Sequence, residues 1–203
     1  MKILSAVFHS SAPNLATCPE SELPEFAFIG RSNVGKSSLI NMLTREEGLA
    51  KVSRVPGKTR LINFFTINNT WSLVDLPGYG YAKVGRKERS SFSASVAEYL
   101  QRRPNLLGTF VLIDCRLSPQ KLDLEFLHWM VGCGLPFVIA FTKADKLTEK
   151  AAQKSIDAFL ASMREISEEP PDYVLTSSKS DTGRTEILGL IASALAENPE
   201  ISA

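Results

Sequence analysis

Five short stretches follow one another along the chain: Gly30-Arg31-Ser32-Asn33-Val34-Gly35-Lys36-Ser37, then Thr59, then Asp75-Leu76-Pro77-Gly78, then Thr142-Lys143-Ala144-Asp145, then Ser177-Ser178-Lys179. In the first, glycines at its two ends let the backbone curl so that several N–H groups point inward at a phosphate, and the helix that should follow adds its partial positive charge. Lys36 reaches the β- and γ-phosphates in such a loop, and the Ser37 hydroxyl ligates Mg²⁺. Asp75 closes a strand pattern, where it can hold Mg²⁺ through a water, and Gly78 can bring its N–H to a γ-phosphate. Thr59, in Pro56-Gly57-Lys58-Thr59-Arg60, can add a hydroxyl to the metal once a γ-phosphate is present, which would make its loop a switch. The Asp145 carboxylate can accept from guanine N1–H and the 2-amino group, whereas adenine would leave it unpaired. Ser177 and Ser178 can offer backbone N–H groups to guanine O6. Each stretch handles a different part of one molecule, GTP, and the order carries the reading because any one alone is an ordinary loop.

These residues need elements to position them. After residue 24, apolar runs alternate with helical spacing. Glu25 to Ile29 enters the glycine loop, and Ser37 to Leu43 leaves it as a helix. Leu61–Ile67 and Trp71–Val74 flank Asn68-Asn69, a hairpin turn because Asn tolerates positive φ. Phe92, Val96, Tyr99 and Leu100 share one helix face. Phe110–Ile113 and Phe137–Phe141 are continuous apolar runs, suited to strands covered on both faces. Pro119–Val131, the face Ala152-Ile156-Phe159-Met163, the strand Tyr173–Leu175 and the face Ile187-Leu188-Ile191 complete the alternation. The expected fold is α/β, a mostly parallel six-stranded sheet with one antiparallel hairpin strand and helices on both faces. Residues 1–23 read as an N-terminal extension, 24–197 as the domain and 198–203 as a tail.

Bulk properties agree with a single ordinary domain: 203 residues, 44% apolar and 22% charged. No apolar run approaches the roughly 18 residues of a membrane span, and the N-terminus has too short an apolar stretch for a secretory signal. Cys18, Cys115 and Cys133 have no metal-ligand spacing, which predicts free thiols in a reduced, cytoplasmic setting. The net charge of +1 hides an asymmetry: ten basic residues and three acids lie between Ala50 and Arg103, and eleven acids face six bases from Asp145 onward.

Three stretches make the chain recognisable: Gly-Arg-Ser-Asn-Val-Gly-Lys-Ser-Ser-Leu-Ile-Asn at 30–41, Pro-Gly-Lys-Thr-Arg at 56–60 and Asp-Leu-Pro-Gly-Tyr-Gly-Tyr-Ala at 75–82. Across about Phe26 to Leu195 the chain resembles the EngB (YihA/YsxC) family, within the GTPases related to Era, EngA and septins. The resemblance implies a Ras-like P-loop GTPase domain, GTP or GDP and Mg²⁺ binding, a role in assembling the large ribosomal subunit from its RNA and proteins, and a need for the protein in normal septum formation. Carried over by position, the nucleotide touches Gly30, Arg31, Ser32, Asn33, Val34, Gly35, Lys36 and Ser37; Gly57, Lys58, Thr59, Arg60 and Leu61; Asp75, Leu76, Pro77 and Gly78; Thr142, Lys143, Ala144 and Asp145; and Thr176, Ser177 and Ser178. Ser37 and Thr59 are the implied metal ligands, and Lys36, Thr59 and Gly78 the groups that serve hydrolysis.

Two departures from commoner GTPases stand out. Thr142 occupies a position where many have Asn; its hydroxyl lacks the amide's second bonding group, which predicts a looser base site. Tyr79 follows Gly78 where many have a water-orienting glutamine, which predicts slow intrinsic hydrolysis that needs help from outside. One expected helper is K⁺ beside Asn33. Another is a ribosomal RNA partner, whose phosphates Lys51, Arg54, Lys58, Arg60, Lys83, Arg86, Lys87 and Arg89 would meet. A monomer is expected. Two other readings are a metabolic phosphotransferase, opposed by the paired guanine motifs, and a nucleotide-gated division scaffold with little catalysis, which Tyr79 keeps open. His9, His128, Trp71 and Trp129 read as structural, and Asp114 as a cap for the turn after its strand.

Overall fold

A computed structural model describes residues 1–51, 61–79 and 86–199. Among these residues seven strands form one sheet: β1 (Ala6–Ala12), β2 (Glu25–Gly30), β3 (Ile62–Ile67), β4 (Trp71–Asp75), β5 (Leu106–Asp114), β6 (Phe137–Thr142) and β7 (Tyr173–Leu175). The helices are α1 (Lys36–Thr44), α2 (Arg86–Arg102), α3 (Lys121–Gly132), α4 (Glu149–Met163) and α5 (Arg184–Glu197). The strand order is β1-β3-β4-β2-β5-β6-β7. β1–β3 and β3–β4 pair antiparallel, and every other pair is parallel.

The period-2 alternation of strand side chains divides the core. On β2, Ala27 and Ile29 face one side, with Tyr99 of α2, Met130 of α3 and Phe159 of α4. Phe26 and Phe28 face the other, with Leu39 and Leu43 of α1 and Ile187 and Ile191 of α5. Both faces are covered, which is why β2, β5 and β6 read as unbroken apolar runs. Trp71 is fully buried, as its place in the core required.

The six expected strands are all present, and a seventh extends the sheet. Residues 6–12, read as part of a peripheral extension, pair with β3 from Ala6↔Ile67 to Ala12↔Ile62. The sequence concealed this strand because β1 is held by main-chain bonds along an edge and is mostly exposed on its other side, so it has little apolar alternation. The hairpin turn has a second task here. Asn68 and Asn69 adopt φ of 51° and 56°, and the Asn68 side chain accepts from the Leu4 and Ser5 N–H groups and donates to the Lys2 carbonyl.

At the amino end of β2, opposite the motif-bearing end, lies a buried ion pair. Glu25 is fully buried. Tyr99 Oη donates to Glu25 Oε2 at 2.6 Å, and the Arg103 guanidinium engages both carboxylate oxygens while also donating to the Pro19 carbonyl at 2.8 Å. Arg103 thus staples the segment before β2 to the end of α2. Truncating one partner of a buried pair strands the other charge and costs about 3–5 kcal/mol. Arg103→Ala is therefore expected to lower the urea-unfolding free energy by about that amount while leaving nucleotide affinity unchanged, because the pair sits at the far end of the sheet.

Candidate functional site

Five chain segments meet at the carboxyl ends of the parallel strands, where ligands of such sheets gather. β2 delivers the glycine loop, β4 delivers Asp75, β5 ends at Asp114, β6 ends at Thr142, and β7 leads into Thr176. Gly57, Lys58, Thr59 and Arg60 lie outside the described residues, as do Arg54, Lys83 and the side chains of Arg86, Lys87 and Arg89. Leu61 is exposed and immediately precedes β3.

The loop from Gly30 to Ser37 closes with a left-handed Gly35, φ 110°, immediately before α1. Asn33 is left-handed as well, φ 63°, which Asn tolerates better than most residues. The Lys36 ammonium donates to Asp75 Oδ1, and both side chains are buried. Gly78 lies against the loop: a Cβ there would come within 2.7 Å of Gly30 O and 3.4 Å of Ser32 N. Only glycine allows that approach, so the Asp75–Gly78 turn and the glycine loop form one wall.

The base side is tied to the same loop. Thr142 is buried, and its hydroxyl donates to Val34 O at 2.7 Å, with Ile113 O 3.3 Å away. The hydroxyl that stands in place of an amide here bolts β6 to the glycine loop. Lys143 is left-handed, φ 65°, and its ammonium donates to Asn33 O at 2.6 Å and to Asp114 Oδ2 at 2.8 Å. Its stem passes Gly35, where an added Cβ would meet Lys143 Cε at 3.7 Å. Asp145 accepts from Ser177 Oγ at 2.9 Å and pairs with Lys146 at 2.9 Å; these two contacts, Lys146 first, hold its carboxyl below the usual range. The two base-side turns are joined by Ala144 N–H to Thr176 O and Thr176 N–H to Phe141 O. Ser177 differs from expectation: its backbone N–H is bonded to Thr182 O, and it contributes its hydroxyl to Asp145 instead.

The residues suit a magnesium nucleotide. No group of three His, Cys, Asp or Glu side chains gathers among the described residues. Asp75 with the Ser37 hydroxyl is a sparse, hard-oxygen set of the kind that leaves Mg²⁺ to draw its remaining ligands from phosphates and water.

A family model described as "50S ribosome-binding GTPase" matches residues 25–143. The chain is 52% identical over 193 residues to the probable GTP-binding protein EngB of Bacteroides fragilis, covering 95% of this chain and 96% of that one. The chain belongs to the EngB family of GTP-binding proteins. A crystal structure of a probable GTP-binding protein engB shares the fold with a TM-score of 0.68 at 22% identity, over 85% of this chain and 99% of that one. Era in complex with MgGDPNP and nucleotides 1506–1542 of 16S ribosomal RNA shares it with a TM-score of 0.65 at 20% identity, over 86% of this chain and 57% of that one. The Ras-like GTPase fold and guanine-nucleotide binding expected from the sequence therefore hold. No helix among the described residues is long and apolar enough to cross a membrane.

Within this EngB family member, two carboxylates at the site were not legible as such. Asp123, in the first turn of α3, is buried and contacts Tyr79 and Arg31. Burial raises its carboxyl above the usual range, against the lowering effect of those two contacts. Asp114 does cap its turn, accepting from Arg116 N–H at 3.1 Å, but it also takes the Lys143 ammonium. The only signal was two aspartates bracketing the β5–α3 connection, an everyday pattern. Burial favours the neutral form of Asp114, but hydrogen bonds from Arg116 and Lys143 outweigh it and hold the carboxyl at about 2. A depressed carboxylate stabilises the fold above its unfolded value near 3.9, and the contribution is lost as pH falls toward the folded value. Wild type is thus expected to exceed Asp114→Asn by about 2 kcal/mol in urea unfolding at pH 5, with the gap closing between pH 4 and pH 2.

Proposed function

We propose that this chain is a GTP-hydrolysing switch that acts in assembly of the large ribosomal subunit, in the cytoplasm and as a monomer. The observation that carries the reading is the bracing of one glycine loop from both sides, by Gly78 on the γ-phosphate side and by Thr142 and Lys143 on the base side. Gly30 to Ser37 would cradle the phosphates, and Leu76 and Pro77 would keep the Asp75–Gly78 turn against them. Ser37 and Thr59 would ligate Mg²⁺, with Asp75 acting through a water. The metal, when bound, would neutralise charge on the β- and γ-phosphates. Lys36 and Asp75 would part only when each gains a new partner, since a lone buried charge costs several kcal/mol. Phosphate and metal entry are thereby coupled.

On the base side, Lys143 would lie along the guanine plane from its anchor on Asn33 and Asp114. Asp145, kept ionised by Lys146 and Ser177, would accept two guanine donors, and Ser178 would offer its N–H to O6. With Tyr79 in place of a glutamine, hydrolysis would be slow alone and faster with K⁺ at Asn33 and on an RNA partner met by the basic segment. The family description "50S ribosome-binding GTPase" supports that partner.

Asp145→Asn exchanges an acceptor for a mixed group and loses two charge-assisted bonds of about 1.5–3 kcal/mol each. GTP affinity is expected to fall by roughly a hundredfold or more, with partial recovery for xanthosine triphosphate, whose 2-oxo group accepts from an amide. In sedimentation with precursors of the large subunit, wild type is expected to pellet with GTP and not with GDP, and Asp145→Asn with neither; pelleting independent of nucleotide would sink the switch. In the hydrolysis assay, chelating Mg²⁺ is expected to abolish turnover and replacing K⁺ by Na⁺ to slow it, on the free protein or on particles. Equal rates in the two salts would remove K⁺ from the scheme.

A further inference from the structure

Asp123 adds a side-chain link between two loops of the nucleotide site, the turn that carries Tyr79 and the glycine loop, whose backbones already meet where Gly78 packs on Gly30. It is 4% exposed, and a buried carboxylate requires partners. Both partners come from loops of the site. Tyr79, the residue after Gly78, donates its phenol to Asp123 Oδ1 at 2.9 Å. Arg31, the second residue of the glycine loop, brings a guanidinium nitrogen to 3.7 Å from Asp123 Oδ2. The Tyr79 ring stacks on Phe126 of α3, 4.4 Å between centroids and 16° between planes. α3 is anchored in the core through Leu127 and Met130, so the carboxylate projects from a rigid element. The phenol that replaces the usual glutamine is therefore committed to α3.

We propose that Asp123 is a positioning residue for the γ-phosphate: by holding Tyr79 it keeps the preceding Gly78 N–H within reach of that phosphate, and through Arg31 it fixes the glycine loop in the same frame. This rests on the reading of the site as a guanine-nucleotide switch. Asp123 is held by Tyr79 and Arg31 and would act through them. Because Gly78 serves the γ-phosphate alone, losing the clasp penalises triphosphate and spares diphosphate. A merely structural carboxylate would weaken both alike.

The test is the affinity of the full chain, with Mg²⁺, for GDP and for a non-hydrolysable GTP analogue. Tyr79→Phe keeps the ring on Phe126 and removes the hydroxyl. Asp123→Ala removes the carboxylate, and Asp123→Asn retains an acceptor for Tyr79. The analogue-to-GDP affinity ratio is expected to fall by about fivefold or more in Tyr79→Phe and Asp123→Ala, with Asp123→Asn closer to wild type. Equal losses for both nucleotides, an unchanged or raised ratio, or Asp123→Asn as impaired as Asp123→Ala would overturn the proposal. Circular-dichroism melts establish that each variant folds; should Asp123→Ala fail to fold, Tyr79→Phe decides alone. A wild-type protein that binds neither guanine nucleotide would instead overturn the reading on which the proposal rests.

Discussion

A loop whose N–H groups are left for a ligand can spend few of them on bracing itself, and the arrangement of this site follows from that constraint. Support has to come from the loop's carbonyls and from its neighbours. Val34 O is held by Thr142 and Asn33 O by Lys143. Arg31 O takes Val34 N–H, and Gly35 O takes Leu39 N–H, where α1 begins. On the opposite flank the Gly78 turn packs directly on Gly30 and Ser32. The glycine loop, the Gly78 turn and the turn after β6 are consequently one connected unit.

Charge is handled in the same way. Each buried or half-buried carboxylate at the motif-bearing end has a named cation or hydroxyl: Asp75 with Lys36, Asp114 with Arg116 and Lys143, Asp123 with Tyr79 and Arg31. Isolated burial of any of them would be far costlier than the pairing. Glu25, paired with Arg103 and Tyr99 at the other end of the sheet, obeys the same rule for a structural purpose. Equivalent pairing therefore occurs at the amino ends of the strands and among the loops at their carboxyl ends.

Tyr79 illustrates how a local departure acquires meaning from its surroundings. In sequence it is a missing glutamine. In the fold its ring lies on Phe126 and its hydroxyl on Asp123, and burial together with that carboxylate pushes the phenol well above its ordinary pKa. It stays a neutral donor at any physiological pH. Thr142 gains meaning in a similar manner: in sequence it is a missing amide, and in the fold its hydroxyl is a short, buried bolt between β6 and the glycine loop.

The sequence by itself determined the fold class, six of the seven strands among the described residues, the order of the nucleotide motifs and the hairpin turn at Asn68-Asn69. Each of these is written locally, in apolar period, in glycine placement or in the contiguous residues that one phosphate or one base edge requires. Only the tertiary structure decided the rest. β1 is held by backbone bonds that leave little side-chain signature. Asp114, Asp123, Glu25 and Arg103 acquire their roles from partners 29, 44, 78 and 78 positions away in sequence. Spacing along the chain cannot report such contacts, because the packing of helices onto the sheet is what brings the partners together.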